Sequence, residues 1–338
     1  MKRKQAPERT EAEQAQPREI PPPRLLVQLD GLTRDYGGHR AVDDLNLVID
    51  KGEVLGLLGP NGAGKSTTLQ MISGNLAPSA GRITINGVDL LEQPRAAKAH
   101  IGYLPENPPL YRELTVDEYL TYCARLHRIP RAELGSALAT AKRRCGLEAM
   151  AGRLIGNLSK GYQQRVGIAQ AIIHTPPVVI LDEPTVGLDP IQIREIRALI
   201  RELGESHSVI LSTHILPEVL QVCSRVEIIH QGRLVFSDTI AGLEARTTAS
   251  TTLLALRHPP AAQELTTLPD IIKAEALGAG RFRLHHTAEG FAADEFIEHA
   301  VAAGWGITEL TPERVSLEQI FIELTAGDSP ADDAEAAA

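Results

Sequence analysis

A glycine-rich loop, GPNGAGKST at residues 59–67, constrains the fold of this chain more than any other feature. It follows the apolar run EVLGLL and precedes the helical pattern TLQMISG, which is the strand–loop–helix context of a phosphate-binding loop. In that context, glycines let the backbone amides point inward at the positive end of the helix and hold a phosphate. The loop predicts nucleotide binding by an α/β P-loop fold, but GTPases, kinases and helicase-type ATPases all share it.

The side chains of this loop have distinct expected roles. Lys65 would reach the β- and γ-phosphates, Ser66 would offer its hydroxyl to Mg²⁺, and Thr67 would contact a phosphate oxygen. The other nucleotide contacts within the loop are expected at Gly59, Asn61, Gly62 and Gly64.

Two carboxylates follow the apolar run VVIL and narrow the chemistry. An acid at the end of a buried strand is costly unless it meets a cation, so Asp182 is expected to contact Mg²⁺, through water. Glu183 stands next to it and would polarise a water that attacks the γ-phosphate. His214 ends the next strand, where its imidazole would contact the γ-phosphate and sense its loss. The pattern favours hydrolysis over phosphoryl transfer to a metabolite.

Strand-like runs alternate with helical patterns from residue 25 to residue 244, which predicts an α/β domain with a largely parallel core sheet. The runs LLVQL, LNLVI and EVLGLLG read as strands, and RITINGV carries an Asn-Gly hairpin signal. VVILD and SVILST are typical of strands buried on both faces. An antiparallel β subdomain is expected at the N-terminal end, and a helical subdomain is expected at about 91–173.

The pattern changes after about residue 245. TTLLALRH, IIKAEAL and RFRLHH read as strands, AADEFIEHAVAAG as a helix, and SLEQIFIEL as a second helix opened by a capping box. Residues 245–326 are therefore expected to form a small accessory α+β domain at the C-terminal end. The polar, Pro-rich segment 1–24 and the acidic tail 327–338 are expected to be disordered.

Composition excludes several classes of protein. The 338 residues carry a formal net charge of −9 without any Lys/Arg block, which argues against nucleic acid as a partner. No apolar run approaches the ~20 residues that span a bilayer, and the basic N-terminus lacks the apolar core of a secretory signal. Three widely spaced cysteines suit a reducing compartment. A cytoplasmic protein is expected.

Taken together, the motifs resemble those of the nucleotide-binding subunit of an ABC transporter, over about residues 25–240. The resemblance identifies the glycine-rich loop with the Walker A motif and the acidic strand end with the Walker B motif. The family's other nucleotide-contacting positions match Tyr36 for adenine stacking, Asp189 for the D-loop and His214 for the switch histidine.

The sequence LSKGY at 158–162 resembles the family signature Leu-Ser-Gly-Gly-Gln. In this family two subunits pack head to tail, and each signature helix points its N-terminus at the γ-phosphate held by the other subunit. The resemblance implies that Ser159, the N–H of Gly161 and the helix dipole bind the partner's ATP. It also implies that nothing in their own chain requires these residues.

Three positions depart from the family pattern. Lys160 replaces the third signature residue, Gly, and would either add positive charge near the nucleotide or only be solvated. Tyr162 replaces the fifth, Gln. The Q-loop glutamine, which touches Mg²⁺ and relays to the membrane subunit, matches Glu106, and a carboxylate can still bind the metal. YLPEN, LSKGY and SLEQIFIELT resemble the branch that serves gliding motility, copper maturation and ABC-2-type export.

The resemblance implies an ATPase that binds ATP and Mg²⁺ and drives a separate permease, as an exporter. The expected partners are a second ATPase subunit, in a homodimer, and an integral-membrane permease that holds the chain at the inner face of the cell membrane. The apolar, aromatic stretch 108–126 would be the docking surface, or it would be the core of the helical insertion.

Two other functions compete with this reading. The first is a soluble ABC ATPase acting on ribosomes or DNA. A single phosphate loop, the short spacing from Lys65 to Asp182 and the acidic charge argue against it. The second is a non-hydrolysing nucleotide sensor, which the presence of Glu183 disfavours.

Overall fold

A computed structural model describes residues 25–246, 251–286 and 291–312, without the side chains of residues 244–246. The predicted disordered tails and the predicted helix SLEQIFIEL lie outside these residues. The strands are β1 (Leu25–Tyr36), β2 (His39–Asp50), β3 (Val54–Leu58), β4 (Ala80–Ile85), β5 (Val88–Asp89), β6 (Ile101–Leu104), β7 (Val178–Asp182), β8 (Ser208–Thr213), β9 (Arg225–His230), β10 (Arg233–Thr239), β11 (Thr251–Leu256), β12 (Ile271–Gly278), β13 (Arg281–His286) and β14 (Ile307–Pro312).

The α-helices lie mainly between the strands of the first 246 residues. They are α1 (Lys65–Ile72), α2 (Pro94–Lys98), α3 (Val116–Leu126), α4 (Leu134–Cys145), α5 (Lys160–Ile172), α6 (Pro190–Gly204), α7 (Leu216–Val222), α8 (Ile240–Arg246), α9 (Ala262–Leu265) and α10 (Ala293–Ala302). None of the helices in the described part of the chain is long and apolar enough to cross a membrane.

The N-terminal β layer is an antiparallel sheet in the order β2-β1-β4-β5. In β2, buried residues alternate with exposed ones from Leu45 to Ile49, as expected for a sheet with one face on the core. The predicted Asn-Gly hairpin is confirmed, because Asn86 and Gly87 both have positive φ, at 49° and 78°, as a type I′ turn requires.

The core sheet has the order β10-β9-β3-β8-β7-β6, and only β10 runs antiparallel to its neighbour. Every residue of β3, β7 and β8 is buried, which confirms the prediction that their apolar runs are covered on both faces. Because these three strands are adjacent and parallel, their carboxyl ends meet at one edge of the sheet. The glycine-rich loop, Glu183 and His214 follow those ends, and Asp182 is itself the last residue of β7.

The helical insertion consists mainly of α3, α4 and α5, which share one apolar core with the sheet. The segment predicted to be mostly helical also contains a strand, β6, paired in parallel with β7. With only four residues, IGYL, this strand is too short to show a period in the sequence. Its edge position depends on pairing with β7, which lies more than 70 residues later in the chain.

The C-terminal part is an antiparallel sheet in the order β12-β13-β11-β14, covered by α10. Three of its strands and α10 agree with the predicted elements, and β14 is an additional strand. Its core contains Phe282, Phe296 and Trp305.

Candidate nucleotide site

The loop after β3 folds around the ammonium group of Lys65. Lys65 Nζ donates to the carbonyl oxygen of Gly59 at 2.8 Å and to that of Pro60 at 3.2 Å. A Cβ on Gly59 would lie 2.3 Å from a backbone oxygen of β9. Gly64 has φ +106° and would place a Cβ 2.5 Å from the carbonyl oxygen of Ala41. Both positions therefore require glycine, and the loop closes tightly on the start of α1.

A cavity of about 540 Å³ opens over this loop. Its lining includes ten of the residues predicted from the sequence: Tyr36, Asn61, Gly62, Gly64, Lys65, Ser66, Thr67, Glu106, Glu183 and His214. Asp182 lies behind the lining, with its Oδ1 accepting a hydrogen bond from the hydroxyl of Ser66 at 3.3 Å.

Three residues of the lining were not predicted as site residues: His39, Ala41 and Val186. Tyr36 is the last residue of β1, and His39 and Ala41 lie at the start of β2, directly after the two-residue turn that follows it. Their closeness in sequence to the predicted aromatic residue was the available signal. Val186 lies between the acidic pair and α6, and its sequence position alone gave no chemical reason to choose it.

Burial shifts the pKa values of the charged groups in this site. Burial lowers the pKa of Lys65, while Glu183, Asp182 and Glu106 act to raise it. Burial raises the pKa of Asp182 above its usual value, and nearby Glu106 adds to that rise. A buried ammonium group and two buried carboxylates, Asp182 and Glu183, therefore lie close together, with the exposed Glu106 at the same cavity, so a bound cation would be favourable here.

The residues present fit Mg²⁺. The hydroxyl of Ser66 and the carboxylate of Asp182 are hard oxygen donors within hydrogen-bond distance of each other. The carboxylate of Glu106 belongs to a residue of the same cavity lining. These three are the candidate metal-binding residues, and a metal held there would offset the clustered negative charge.

Glu183 leaves β7 with a backbone conformation that is rare for non-glycine residues. Its φ is +46°, and its N–H donates to the carbonyl oxygen of Ser212 at 3.1 Å. The Glu183 side chain contacts His214 Nδ1 at 3.0 and 3.1 Å and lies 3.8 Å from Lys65 Nζ. Burial raises the pKa of Glu183, and the hydrogen bond from His214 opposes that rise. Backbone strain of this kind is typical of functional sites.

Tyr36 lies at the mouth of the cavity, where 43% of its surface is exposed. The guanidinium of Arg34 lies 4.6 Å from the centre of its ring. An exposed, oriented ring at a cavity mouth is suited to stacking on a planar base.

The structure does not bring the signature residues into this cavity. Ser159 instead caps its own helix, α5, by accepting from the N–H of Tyr162 at 3.4 Å. Gly161 is buried against Gln192, whose Cδ would lie 2.7 Å from a Cβ at position 161. The expectation that nothing in their own chain requires these residues is therefore wrong. Ser159 caps α5, and the missing side chain of Gly161 lets Gln192 of α6 pack closely against α5.

Asp189 also lies outside the cavity lining. It caps α6, with its Oδ1 accepting from the N–H groups of Ile191 at 3.0 Å and Gln192 at 2.9 Å. This capping fixes the turn between β7 and α6.

Comparison with known proteins agrees with this geometry. A family model described as "ABC transporter" matches residues 42–186. A solved ATP-binding subunit of an ABC transporter is 35% identical with a TM-score of 0.59, over 65% of this chain and 92% of that one. A dimeric ATP-binding cassette in a post-hydrolysis state with ADP and Pi is 26% identical, with a TM-score of 0.58, over 64% of this chain and 99% of that one.

Two bacterial proteins are similar to this chain over most of their own length. The ABC transporter ATP-binding protein NatA of Bacillus subtilis is 40% identical over 60% of this chain and 84% of the relative. The bacitracin transport ATP-binding protein BcrA of Bacillus licheniformis is 33% identical over 89% of this chain and 98% of the relative. The resemblance and the predicted P-loop fold are thus confirmed: the chain belongs to the ABC transporter family, as an ATP-binding subunit that hydrolyses ATP.

Proposed function

We propose that two copies of this chain pack head to tail on binding ATP and Mg²⁺, and drive a separate integral-membrane permease as an exporter. The observation that carries this proposal is the division of the candidate site residues. The cavity holds the phosphate loop, Glu183 and His214, whereas Ser159, Gly161 and Asp189 lie outside its lining in the same chain. A second copy would supply those three residues to each nucleotide, and a bound ATP would thus join the two subunits.

Within each copy, the residues would divide the work of hydrolysis. Lys65, Thr67 and the loop amides would hold the phosphates, while Ser66, Asp182 and Glu106 would hold Mg²⁺, which neutralises phosphate charge when bound. Tyr36 would stack on adenine. Glu183 would accept a proton from the attacking water, and His214 would orient that carboxylate and contact the γ-phosphate.

The helical insertion offers a surface for the permease. Within the stretch 108–126, Tyr119 and Leu120 are buried in the insertion's core. Tyr111 and Tyr122 remain 45% and 41% exposed, with their rings 5.6 Å apart. Exposed aromatic pairs are typical of binding surfaces, because each ring buries a large area at little entropic cost. Docking through this pair would hold the chain at the inner face of the membrane.

Outward transport is the direction found in the branch that the motifs resemble. Among the similar proteins, BcrA is named for bacitracin transport and YbhF of Escherichia coli as a probable multidrug transporter subunit. We also propose that residues 25–244 form the ATPase domain, with its helical subdomain at about 91–173. Residues 245–326 would be an accessory domain that acts in dimer contact or regulation.

The test is purification of a tagged chain from detergent-solubilised membranes, with identification of the permease that accompanies it. Tyr111→Ser combined with Tyr122→Ser should abolish co-purification while leaving ATP binding intact. Leu91→Ser is the matched control, since Leu91 is 52% exposed and lies outside the insertion's aromatic pair. Recovery of the same permease with the double variant would disprove the proposed docking surface.

A further inference from the structure

A second cavity, of about 340 Å³, shares Glu106 with the nucleotide cavity. Its lining also includes Lys160 and Arg112, together with the polar side chains of Gln163 and Gln164. Glu106 and Lys160 are the two charged departures from the family pattern, and their charges are opposite. The structure thus places both departures around one polar space beside the metal-binding residues.

Packing on α5 explains why these positions are neighbours. A Cβ on Gly167 would lie 2.5 Å from Leu104 and 3.2 Å from Pro108, so the segment after β6 runs in direct contact with α5. Glu106 belongs to that segment, and Lys160 is the first residue of the same helix. The second cavity lies between the two.

Lys160 is available to pair with Glu106. No hydrogen bond or ion pair joins either side chain to another described residue in this conformation, and Glu106 interacts with Lys65 only at longer range, through its charge. The ammonium group of Lys160 lies over Gly187, where a Cβ would be 2.2 Å from Nζ. Because Gly187 has no side chain, the long, flexible side chain of Lys160 fits over it. Rotation about the bonds of the lysine side chain would turn its ammonium group toward Glu106 in the second cavity.

We propose that Lys160 is a positioning residue that pairs with Glu106 and competes with Mg²⁺ for its carboxylate. The proposal rests on the proposed function, in which Glu106 binds the metal. Glu106 adds a third carboxylate to Asp182 and Glu183, and Lys160 offsets that added charge. Together, Glu106 and Lys160 carry no net charge, as is also true of the Gln and Gly in the family pattern. The pair therefore adds no net charge to the metal site when nucleotide leaves.

The test measures the Mg²⁺ concentration that gives half-maximal binding of a fluorescent ATP analogue. Lys160→Ala should lower that concentration about two- to fivefold, as expected for loss of a solvent-accessible competing ion pair. Glu106→Gln should raise it, because a carboxylate ligand is lost. Adding Lys160→Ala to Glu106→Gln should cause no further change, because the lysine then has no carboxylate to compete for.

Lys160→Gln provides a second neutral variant that suits a helix, and it should behave as Lys160→Ala does. Lys160→Arg should preserve the wild-type Mg²⁺ requirement, because it keeps the charge. Arg153→Ala removes an exposed cation outside both cavity linings and should change nothing.

Two results would overturn the inference, and they are distinguishable. An equal effect of Lys160→Ala in both backgrounds would mean that Lys160 acts on the bound nucleotide directly, without pairing with Glu106. An unchanged Mg²⁺ requirement in Glu106→Gln would instead remove the metal-binding role on which the inference rests, and with it that part of the proposed function.

Discussion

Glu183 is held from two sides, by His214 Nδ1 at 3.0 Å and by Lys65 Nζ at 3.8 Å. The lysine belongs to the phosphate loop and the histidine to the end of β8, so the carboxylate connects two strands of the core sheet. The His214 side chain is 42% exposed and that of Glu183 is nearly buried, and both residues line the nucleotide cavity. In the proposed function, these two contacts would orient the Glu183 carboxylate toward the water that attacks the γ-phosphate.

Glu183→Gln should preserve ATP binding and reduce turnover by about 10²- to 10⁴-fold, because it removes the proton acceptor and keeps the phosphate and metal contacts. The variant should also accumulate an ATP-bound dimer, which size-exclusion chromatography would detect. Turnover close to that of the wild type, or loss of ATP binding, would contradict the role assigned to Glu183.

His214→Ala should lower turnover by at least about tenfold while ATP affinity changes little, because the carboxylate keeps its lysine contact and loses its orienting partner. Turnover and ATP affinity should be measured on the same preparation. His230→Ala is a matched control on β9 outside the cavity lining. If ATP affinity falls as much as turnover does, His214 contributes to ATP binding and not to the orientation of Glu183.

The pH dependence of stability should reflect Glu227, a buried carboxylate on β9. Arg225 donates to it at 2.6 Å but also pairs with Glu53, so one cation serves two acids. Burial raises the pKa of Glu227 from its usual 4.5 to about 7, although Arg225 opposes the rise. The unfolded chain releases this proton near pH 4.5 and the folded protein near pH 7, so folding loses stability as the pH rises through that window.

Glu227→Gln should therefore stabilise the protein above pH 7 and have little effect below pH 4.5, where the wild-type carboxyl is already neutral. The gain in the free energy of unfolding should reach at most about 3 kcal/mol. Urea denaturation at pH 5 and pH 8 measures the difference. Glu148→Gln alters an exposed carboxylate and serves as the control. A gain that is the same at both pH values would contradict the pKa assigned to Glu227.

Local sequence patterns predicted the residues around the phosphate loop. The remaining contacts of the site join segments that are far apart in sequence. The loop around Lys65 could be read from sequence because its glycines, lysine and flanking strand are contiguous. Asp182 and His214 could be selected from sequence because each stands at the end of an apolar run typical of a buried strand. The contact of Gly161 with Gln192 and the cavity shared by Glu106 and Lys160 join segments far apart in sequence, so no local period could reveal them.

A chain that ends at Arg246 should keep an ATP site with near wild-type affinity, because every residue of the cavity lining precedes it. The end must include α8, since Leu243 is buried in a core with Leu58 at the end of β3. A chain ending at Thr239 is the matched comparison and should be less stable in thermal denaturation. Failure of the folded 246-residue form to bind ATP would disprove the proposed domain boundary.

The shared-site proposal is tested most sharply by mixing two inactive variants. Lys65→Ala cannot hold the phosphates, and Ser159→Arg puts a bulky side chain where a partner's γ-phosphate would lie. When dimers re-form at random, about half are mixed, each with one intact site. Activity should therefore recover to at most about a quarter of the wild-type value if the sites work independently.

Because Ser159 also caps α5, the effect of bulk must be separated from the loss of the cap. Ser159→Ala removes the cap at a cost of about 1 kcal/mol and leaves room for a phosphate, so it should retain more activity than Ser159→Arg. If hydrolysis needs two competent sites at once, mixing restores no turnover, but one good site should still hold mixed dimers together in ATP. The absence of both recovered activity and mixed dimers would disprove head-to-tail sharing, because a Ser159 that served its own nucleotide would gain nothing from a partner.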